Sequence, residues 1–412
     1  MSTVVVLGTG LQGKAALHDI SQSSLVSEVV AADYDYEQLQ DFVGTLSSEK
    51  VRATKLDASN EASVEKLLKS ADVVIELLPG HFSLPIAKLA VRNGVSLVNA
   101  MYLVDPSKGE TPEKEALIDE VKRLDEEAKA HKVTILPEFG LDPGIDLVLC
   151  GQAIRELDET HELYSYGAGF PEAEAADNPL RYKVAWSLDG VLKSYCRPGR
   201  VLHRGHVVTV PGESIFSEEF THTINVEPFG DLEAFINGDA LRYAEELGID
   251  ETVRTAGRFA LRWPGHCEFW KKISALGFLS EKPIQVGNKQ VIPSQFLREL
   301  LEPQLHYEDD ERDVALILTD ARGIKSDKRK RVLYKMIDRR DLNTGFTAMT
   351  RTVGFAASIG AQMILRGDIS TSGVLKPSND VPFDALVEEL ANRGIHVEHS
   401  ILPWEEDTIS PW

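Results

Sequence analysis

The pattern of apolar and polar positions changes character once along the chain. Up to residue 136, short runs of consecutive apolar and largely β-branched residues alternate with stretches whose apolar positions recur every three or four residues. The runs are TVVVL (3–7), EVVAAD (28–33), VRATKL (51–56), ADVVIELLPG (71–80), VSLVNA (95–100) and KVTIL (132–136). Runs of this kind predict strands buried on both faces, as in a parallel sheet. The intervening segments 14–20, 61–70, 84–93 and 111–131 predict helices, so this part reads as alternating β and α, a doubly wound sheet. After Gly151 separated strand-like runs follow with few helices between them: 162–170, KVAWSL (183–188), 200–210, 222–229, 254–263, 313–321 and 331–338. That pattern predicts an antiparallel or mixed sheet in an α+β domain. The segment 347–365, TAMTRTVGFAASIGAQMIL, predicts a long apolar helix that returns to the first domain. With Gly354 and Gly360 inside it and Thr350 and Arg351 interrupting it, it reads as a buried helix rather than a membrane span. KSDKRKR (325–331) reads as a solvated hairpin loop. The expected division is 1–145, 146–350 and 351–412.

Chemistry enters with the first strand, which ends in GTGLQG. Gly8, Gly10 and Gly13 stand in GxGxxG spacing, a helical pattern follows, and a second strand ends in Asp33 twenty residues beyond Gly13. Together these form the dinucleotide fingerprint of a Rossmann domain. The glycines allow close backbone approach, the helix N-terminus receives the pyrophosphate, and the acid accepts from ribose hydroxyls. The charge of Asp33 would repel a ribose 2′-phosphate and no arginine follows in DYDYEQ, so NAD is expected over NADP, with NADP as the alternative. Asp57 and Ala58 end the third strand. They border the adenine, or Asp57 is a plain N-cap for the next helix. Leu78, Pro79 and Gly80 end the fourth strand and are expected along the cofactor. The neighbouring His81 reads as a surface or capping residue.

The stretch LPEFGLDPGID joins the two patterns. Its strand ends near Glu138, the chain turns at Gly140, and Asp142 with Pro143 has the form of a helix start, a capping carboxylate followed by proline at the first helical position. A carboxylate pair therefore sits at a strand-to-helix junction, the edge where open α/β sheets bind ligands.

Composition narrows the partners. The 412 residues carry a net charge of −21, which disfavours nucleic acid and anionic membrane surfaces. Cys150, Cys196 and Cys267 lie far apart without metal-ligand or disulfide spacing. They are expected to stay reduced in the cytoplasm, with no metal site.

The chain resembles the saccharopine reductase family, which comprises glutamate-forming saccharopine dehydrogenases and the related lysine 6-dehydrogenases and carboxynorspermidine dehydrogenases. The segments that carry the resemblance are GTGLQG, ADVVIELLPGHF, VNAMYLVDP, PEFGLDPGID, EAADNPLRYKVAWS, ALRWPGHCE, TAMTRTVG and ISTSGVLKP, in that order. The resemblance implies a Rossmann domain with an inserted catalytic and dimerising α+β domain, a homodimer, and hydride transfer between nicotinamide and a carbon that bears an amine. It places Gly10, Leu11 and Gln12 at the pyrophosphate, Asp33 at the ribose, and Asp57 with Ala58 near the adenine. Met101 and Tyr102 would face the reacting centre, Asp142 would meet the substrate amine, and Asn237, Asp239 and Arg262 would belong to the substrate pocket. Arginine suits a carboxylate because its planar fork pairs two oxygens. Plainer readings stand beside these. Arg262 as a structural ion pair, Asp142 as a cap alone, and Tyr102 as packing under the cofactor each account for the residue type.

One departure bears on substrate. Family members acting on saccharopine carry Asn-Arg-Asp-Ser where this chain has Asn237, Gly238, Asp239 and Ala240, so a carboxylate partner is missing unless Arg242 or Arg181 replaces it. LEAF (232–235) is similar to the lysine 6-dehydrogenase branch and EAADNPLRYKVAWS to saccharopine reductases. The expected activity is that of a saccharopine dehydrogenase, with lysine 6-dehydrogenase or a carboxynorspermidine-type enzyme as the rival. A non-catalytic dinucleotide-binding sensor is the reading from another class.

Overall fold

The computed structural model describes residues 2–106 and 111–404. The chain divides into two compact units, one made of Met1–Gly151 with Thr350–His396 and the other of Gln152–Met349 with Val397–Trp412.

The first unit is built in chain order from β1 (Ser2–Leu7), α1 (Leu11–Gln22), β2 (Val26–Asp33), α2 (Tyr36–Thr45), β3 (Val51–Lys55), α3 (Glu61–Leu68), β4 (Val73–Glu76), α4 (Ser83–Asn93), β5 (Ser96–Asn99), α5 (Pro112–His131), β6 (Thr134–Leu136) and the start of α6 (Ile145–Arg155). The apolar runs become strands because Val4–Leu7, Val73–Ile75 and Leu97–Val98 are all buried, which only a sheet covered on both faces provides. Helix starts follow local chemistry: Asp35, Asn60 and Thr111 each accept a backbone N–H of the first turn of α2, α3 and α5.

The second unit contains β7 (Glu159–Pro171), α7 (Leu188–Ser194), β8 (Gly199–His203), β9 (His206–Val210), β10 (Thr221–Val226), β11 (Gly230–Ile236), α8 (Ala240–Glu246), β12 (Thr255–Arg262), α9 (His266–Ala275), the hairpin β13 (Ile284–Val286) and β14 (Lys289–Val291), α10 (Pro293–Leu301), β15 (Asp313–Lys325) and β16 (Lys328–Arg339). The chain then runs through α11 (Ala348–Arg366), β17 (Gly373–Val374), α12 (Pro377–Asp380) and α13 (Phe383–Asn392), which lie with the first unit apart from the first residues of α11, and ends in β18 (His396–Pro403).

The first sheet has the order β17-β6-β5-β4-β1-β2-β3, with every neighbouring pair parallel. The order reverses at β1, whose neighbours are β4 and β2, and this is the doubly wound arrangement expected of the sequence. The long apolar helix is buried. A Cβ on Gly354 would lie 2.5 Å from the Gln12 carbonyl oxygen, and one on Gly360 would lie 2.8 Å from the Phe139 ring, so both glycines are contact points with the first unit. No described helix is long and apolar enough to cross a membrane.

The second sheet runs β10-β11-β12-β7-β15-β16-β18, with β8 attached to β12 and β9 to β8. It is mixed: β7 and β12 are parallel, while β7–β15, β15–β16, β10–β11 and β11–β12 are antiparallel. Its core is aromatic, with Tyr164, Tyr166, Phe170, Tyr195, Phe216, Phe259 and Trp270 buried.

Three expectations are corrected. KVAWSL forms no strand; Ser187 instead caps α7 by accepting the Gly190 N–H at 3.2 Å, and Lys183 is drawn into ion pairs with Asp177 and Glu311. In KSDKRKR the turn is only Ser326 and Asp327, both with positive φ, so the basic residues 328–331 lie in β16. There Arg331 pairs with the buried Asp320 at 2.9 Å. Finally, residues 351–412 do not act as one helical segment, because β18 from Val397 onward joins the second unit. Residues 405–412 lie outside the described chain.

What ties the returning segment to α1 is one carboxylate. Asp19 accepts from the Ser358 hydroxyl at 2.6 Å, the Gln362 amide at 3.1 Å, and Arg393 Nε and Nη2 at 2.6 and 2.9 Å. Asp19 and Arg393 are both largely buried. Breaking such a pair leaves a cation without compensation, which costs about 3–5 kcal/mol. Because Arg393 keeps Glu389 at 2.6 Å, we expect Asp19→Ala to lower the unfolding free energy by about 3 kcal/mol in a urea titration, at the low end of that range.

Candidate functional site

At the carboxyl edge of the first sheet the glycine turn closes around itself. Gly8 has φ +86°, and a Cβ there would lie 2.7 Å from the Leu77 carbonyl oxygen. At Gly13 a Cβ would lie 2.0 Å from the Gly8 carbonyl oxygen, so only glycine lets α1 approach β1. Gly10 differs: it has ordinary φ −64° and nothing lies within 4 Å of an added Cβ. It is the N-cap of α1, no side chain caps that helix, and Leu11 beside it is exposed. The turn therefore presents an open cradle before a helix N-terminus, and this fits a pyrophosphate.

Asp33 is placed at the same edge, with a structural task the sequence reading did not foresee. One carboxylate oxygen accepts from the Thr9 N–H at 2.6 Å and the Thr9 hydroxyl at 2.9 Å, and the other accepts from the Asp35 N–H at 3.0 Å. It fastens the glycine turn to the end of β2. Asp57 does not cap α3; Asn60 does, accepting the Ser63 N–H at 3.1 Å. Asp57 is solvent-exposed and accepts the Ser59 hydroxyl and N–H, which hold its carboxyl below the usual range. Ala58 follows it. Leu78 is half-buried, while Pro79 and His81 are exposed.

The ends of β4, β5 and β6 are linked by hydrogen bonds. The Glu138 N–H donates to the Met101 carbonyl at 3.1 Å, and the Phe139 N–H donates to the Asn99 carbonyl at 2.9 Å. Met101 is exposed and Tyr102 and Asp142 are half-buried, whereas Glu138 is buried and has φ +56°. Of the two acids at the junction, Asp142 is thus the accessible one. It is not the start of a helix, which corrects the sequence reading. Helix α6 begins at Ile145, three residues beyond Asp142, and Asp146 accepts the Gly144 N–H at 2.8 Å. The tight loop is closed by Gly140 N–H to Pro143 carbonyl and Ile145 N–H to Gly140 carbonyl, each at 3.0 Å.

Sequence patterning alone also passes over Glu76, the acid that ends an otherwise apolar strand, VVIE. It is fully buried at the end of β4, and burial raises its pKa to about 7 against the hydrogen bonds it accepts from the Leu78 N–H and the Asn99 side chain.

In the second unit Arg262 ends β12. It is buried with its guanidinium carbon 4.9 Å from the centre of the Tyr182 ring and 5.8 Å from that of Phe235. Its Nη1 donates to the Leu261 carbonyl at 2.8 Å, and its Nε has no partner. No carboxylate among the described residues reaches it, which removes the structural ion-pair reading. Burial works against its charge, but the Tyr182 and Tyr195 phenol oxygens more than offset this and keep it cationic. His266 is held neutral by burial and by Arg262, and it shares a 2.9 Å hydrogen bond with Tyr195. A buried guanidinium that meets no carboxylate among the described residues has the chemistry to take an anion as its partner. Beside it Arg181 stacks on Trp263, 5.0 Å from the ring centre, while Arg262 stacks on Tyr182, so each arginine packs on the chain neighbour of the other.

Asn237 and Asp239 lie apart in role. Asp239 caps α8 by accepting the Leu241 N–H at 3.1 Å and pairs with Arg200. Asn237 is half-buried, and its N–H donates to the Arg258 carbonyl at 2.9 Å. Gly238 between them has φ +83°, a conformation that disfavours the family's arginine. Arg242 is tied to Glu246 at 2.9 Å. Among the described residues no group of His, Cys, Asp and Glu could hold a metal ion, and Cys150, Cys196 and Cys267 form no disulfide.

Comparison with known proteins bears on both units. Residues 4–136 match the family model described as the saccharopine dehydrogenase NADP binding domain, and residues 140–395 match the saccharopine dehydrogenase C-terminal domain. The chain is 27% identical over 455 residues to mouse alpha-aminoadipic semialdehyde synthase, covering 95% of this chain and 47% of that protein. It therefore spans about half the length of the curated relatives of that kind. It is 26% identical over 479 residues to the NADP(+), L-glutamate-forming saccharopine dehydrogenase of Schizosaccharomyces pombe, covering 98% of this chain and all of that one. Its fold is that of the apo L-Glu-forming saccharopine dehydrogenase from Saccharomyces cerevisiae, with TM-score 0.81 at 23% identity over 98% of this chain and 100% of the other.

The two glycines of α1 separate fold from ligand. We expect Gly13→Ala to lose stability, because the Gly8 carbonyl cannot retreat. Gly10→Ala is expected to keep the parent melting temperature yet weaken NADH binding by about tenfold or more, measured by fluorescence titration, since the added methyl group meets only the ligand.

Proposed function

The chain belongs to the saccharopine dehydrogenase family, and on that premise we propose that it is a nicotinamide-dependent oxidoreductase acting on the carbon–nitrogen bond of a lysine-derived amino acid. The proposed reaction converts saccharopine, oxidised dinucleotide and water to glutamate, 2-aminoadipate 6-semialdehyde, reduced dinucleotide and a proton. The observation that carries this reading is Arg262, a buried cation with no carboxylate partner among the described residues. A substrate carboxylate supplies that partner. Arg181, exposed and stacked beside it, supplies a second cation in place of the arginine that Gly238 replaces. This favours a substrate with more than one carboxylate.

Bound dinucleotide would take up the hydride from the carbon that bears the amine. The residues of the chain do the rest. Gly8, Gly10, Leu11, Gln12 and Gly13 receive the pyrophosphate, Asp33 faces the ribose, Asp57 and Ala58 border the adenine, and Leu78 and Pro79 line the nicotinamide end. Met101 and Tyr102 shape the reacting centre. Asp142 accepts the proton from the substrate nitrogen and returns it as water adds to the imine, with Glu138 holding the loop. Asn237 and Asp239 complete the amino-acid pocket, Asp239 by fixing α8. We further propose a homodimer, on the family resemblance, and a reducing cytoplasmic setting, on the unbridged cysteines.

A second reading has one observation behind it. Gly238 in place of arginine suits lysine 6-dehydrogenase, whose substrate has a single carboxylate.

NADH formation measured with saccharopine and with lysine, each at millimolar concentration, decides between them. Turnover of saccharopine is expected, and turnover of lysine alone would establish the second reading. With the preferred substrate, Asp142→Asn is expected to lower kcat by about 10²–10⁴-fold; unchanged turnover would remove Asp142 from proton transfer.

On the dinucleotide itself, the family model and the fission-yeast relative carry NADP in their names. Asp33 is the observation in favour of NAD, because a carboxylate at the ribose repels a 2′-phosphate. We expect kcat/KM for NAD to exceed that for NADP by at least about tenfold and Asp33→Asn, which keeps an acceptor for Thr9, to narrow the ratio. A parent enzyme that prefers NADP would reverse this assignment.

A further inference from the structure

We propose that Glu76 is a positioning residue for the nicotinamide end of the dinucleotide site: it is the accepting centre of a hydrogen-bond chain that sets the 77–79 and 100–102 loops against each other. This inference rests on the dinucleotide-binding reading above.

The chain of bonds has a fixed direction. The Leu78 N–H donates to Glu76 Oε1 at 2.8 Å, and the Asn99 side-chain amide donates to Glu76 Oε2 at 3.0 Å. Asn99 in turn accepts the Met101 N–H on Oδ1 at 3.2 Å. Both ends are backbone N–H groups that can only donate, so Asn99 must turn its oxygen to Met101 and its amide to position 76. Position 76 then faces these two donors, with the Ser83 hydroxyl also beside it, and must accept from both. A carboxyl group does this with one oxygen for each. An apolar side chain would leave both donors dry and unpaired, and an amide would set one N–H against another.

What the chain holds is the edge where the nicotinamide would lie. Leu77, between Glu76 and Leu78, is the residue whose carbonyl would stand 2.7 Å from a Cβ on Gly8, so the glycine turn is packed directly on this backbone. On the other side Met101 Cε would lie 3.2 Å from a Cβ on Gly80, so the two loops touch. The Met101 carbonyl accepts the Glu138 N–H, which extends the link to the loop that bears Asp142. Glu76 is enclosed at 0% exposure and does not itself face the cleft. It acts through the backbone it orients.

The test exchanges acid and amide. In Glu76→Gln one donor loses its acceptor. In the double variant Glu76→Gln/Asn99→Asp the carboxylate introduced at position 99 accepts from the Met101 N–H and from the amide introduced at position 76, whose oxygen still accepts from Leu78, so every bond is restored and only the one between 76 and 99 is reversed. Affinity for NADH is measured by fluorescence titration and affinity for ADP-ribose, which lacks the nicotinamide, by calorimetry. Glu76→Gln is expected to weaken NADH binding by about tenfold, the effect of one unsatisfied buried donor, with ADP-ribose affinity within about twofold of the parent. The double variant is expected to bind NADH within about threefold of the parent. Parent-like NADH binding by Glu76→Gln, an equal loss for ADP-ribose, or a double variant no better than the single one would each overturn the proposal. If Glu76→Gln alone does not fold, the double variant carries the test: it folds and binds NADH as the parent does, or the proposal falls. A parent protein that binds neither NADH nor ADP-ribose would overturn the dinucleotide reading itself, and this inference with it.

Discussion

Backbone amides that leave the carboxyl edge of a buried parallel sheet must find acceptors where water does not reach, and much of the first unit is arranged to supply them. Carboxylates do this at three places. Asp33 receives Thr9 and Asp35, Glu76 receives Leu78 and the Asn99 amide, and Asp146 receives Gly144. Each acid closes one loop, and the loops together shape the edge on which a dinucleotide would lie. The acids are worth their desolvation because each meets donors that no apolar side chain could satisfy.

The same constraint recurs in the second unit with different groups. Asp313, buried at the start of β15, accepts the Ala348 and Met349 N–H groups at 2.7 and 3.1 Å and so caps α11 from across the chain. Burial raises its pKa to about 6, against those hydrogen bonds. Arg262 is the exception. Aromatic faces and a carbonyl satisfy part of its guanidinium, and no described acid completes it. Neutral His266 beside it adds no competing charge. A site with one deficit of negative charge in an apolar setting selects its ligand by charge first and by shape second.

Most of the first unit was legible because its signals are local. GTGLQG, the apolar strands and the spacing to Asp33 depend on backbone sterics and on burial of whole strands, which neighbouring residues reveal. Less was legible where a residue had several local uses. Asp57 has the form of a cap, yet Asn60, three residues on, took that place. Asp142 followed by proline has the form of a helix start, yet the chain needed another turn there, closed by Gly140 and Gly144. KVAWSL has strand composition, yet Ser187 began a helix instead.

The sequence by itself determined the two fold classes, the glycine turn, the acids at the strand ends and the arginine of ALRWPG, because each of these is written in spacing or in a residue type with few alternatives. Only the tertiary structure decided which groups are paired and which are left open. Asp33 bonds to Thr9 across 24 positions, Glu76 to Asn99 across 23, and Asp19 to Arg393 across 374, while Arg262 finds no acid among the described residues. Pairing over such separations is set by the path of the chain through the sheet and around the core. That path is not carried by any local pattern.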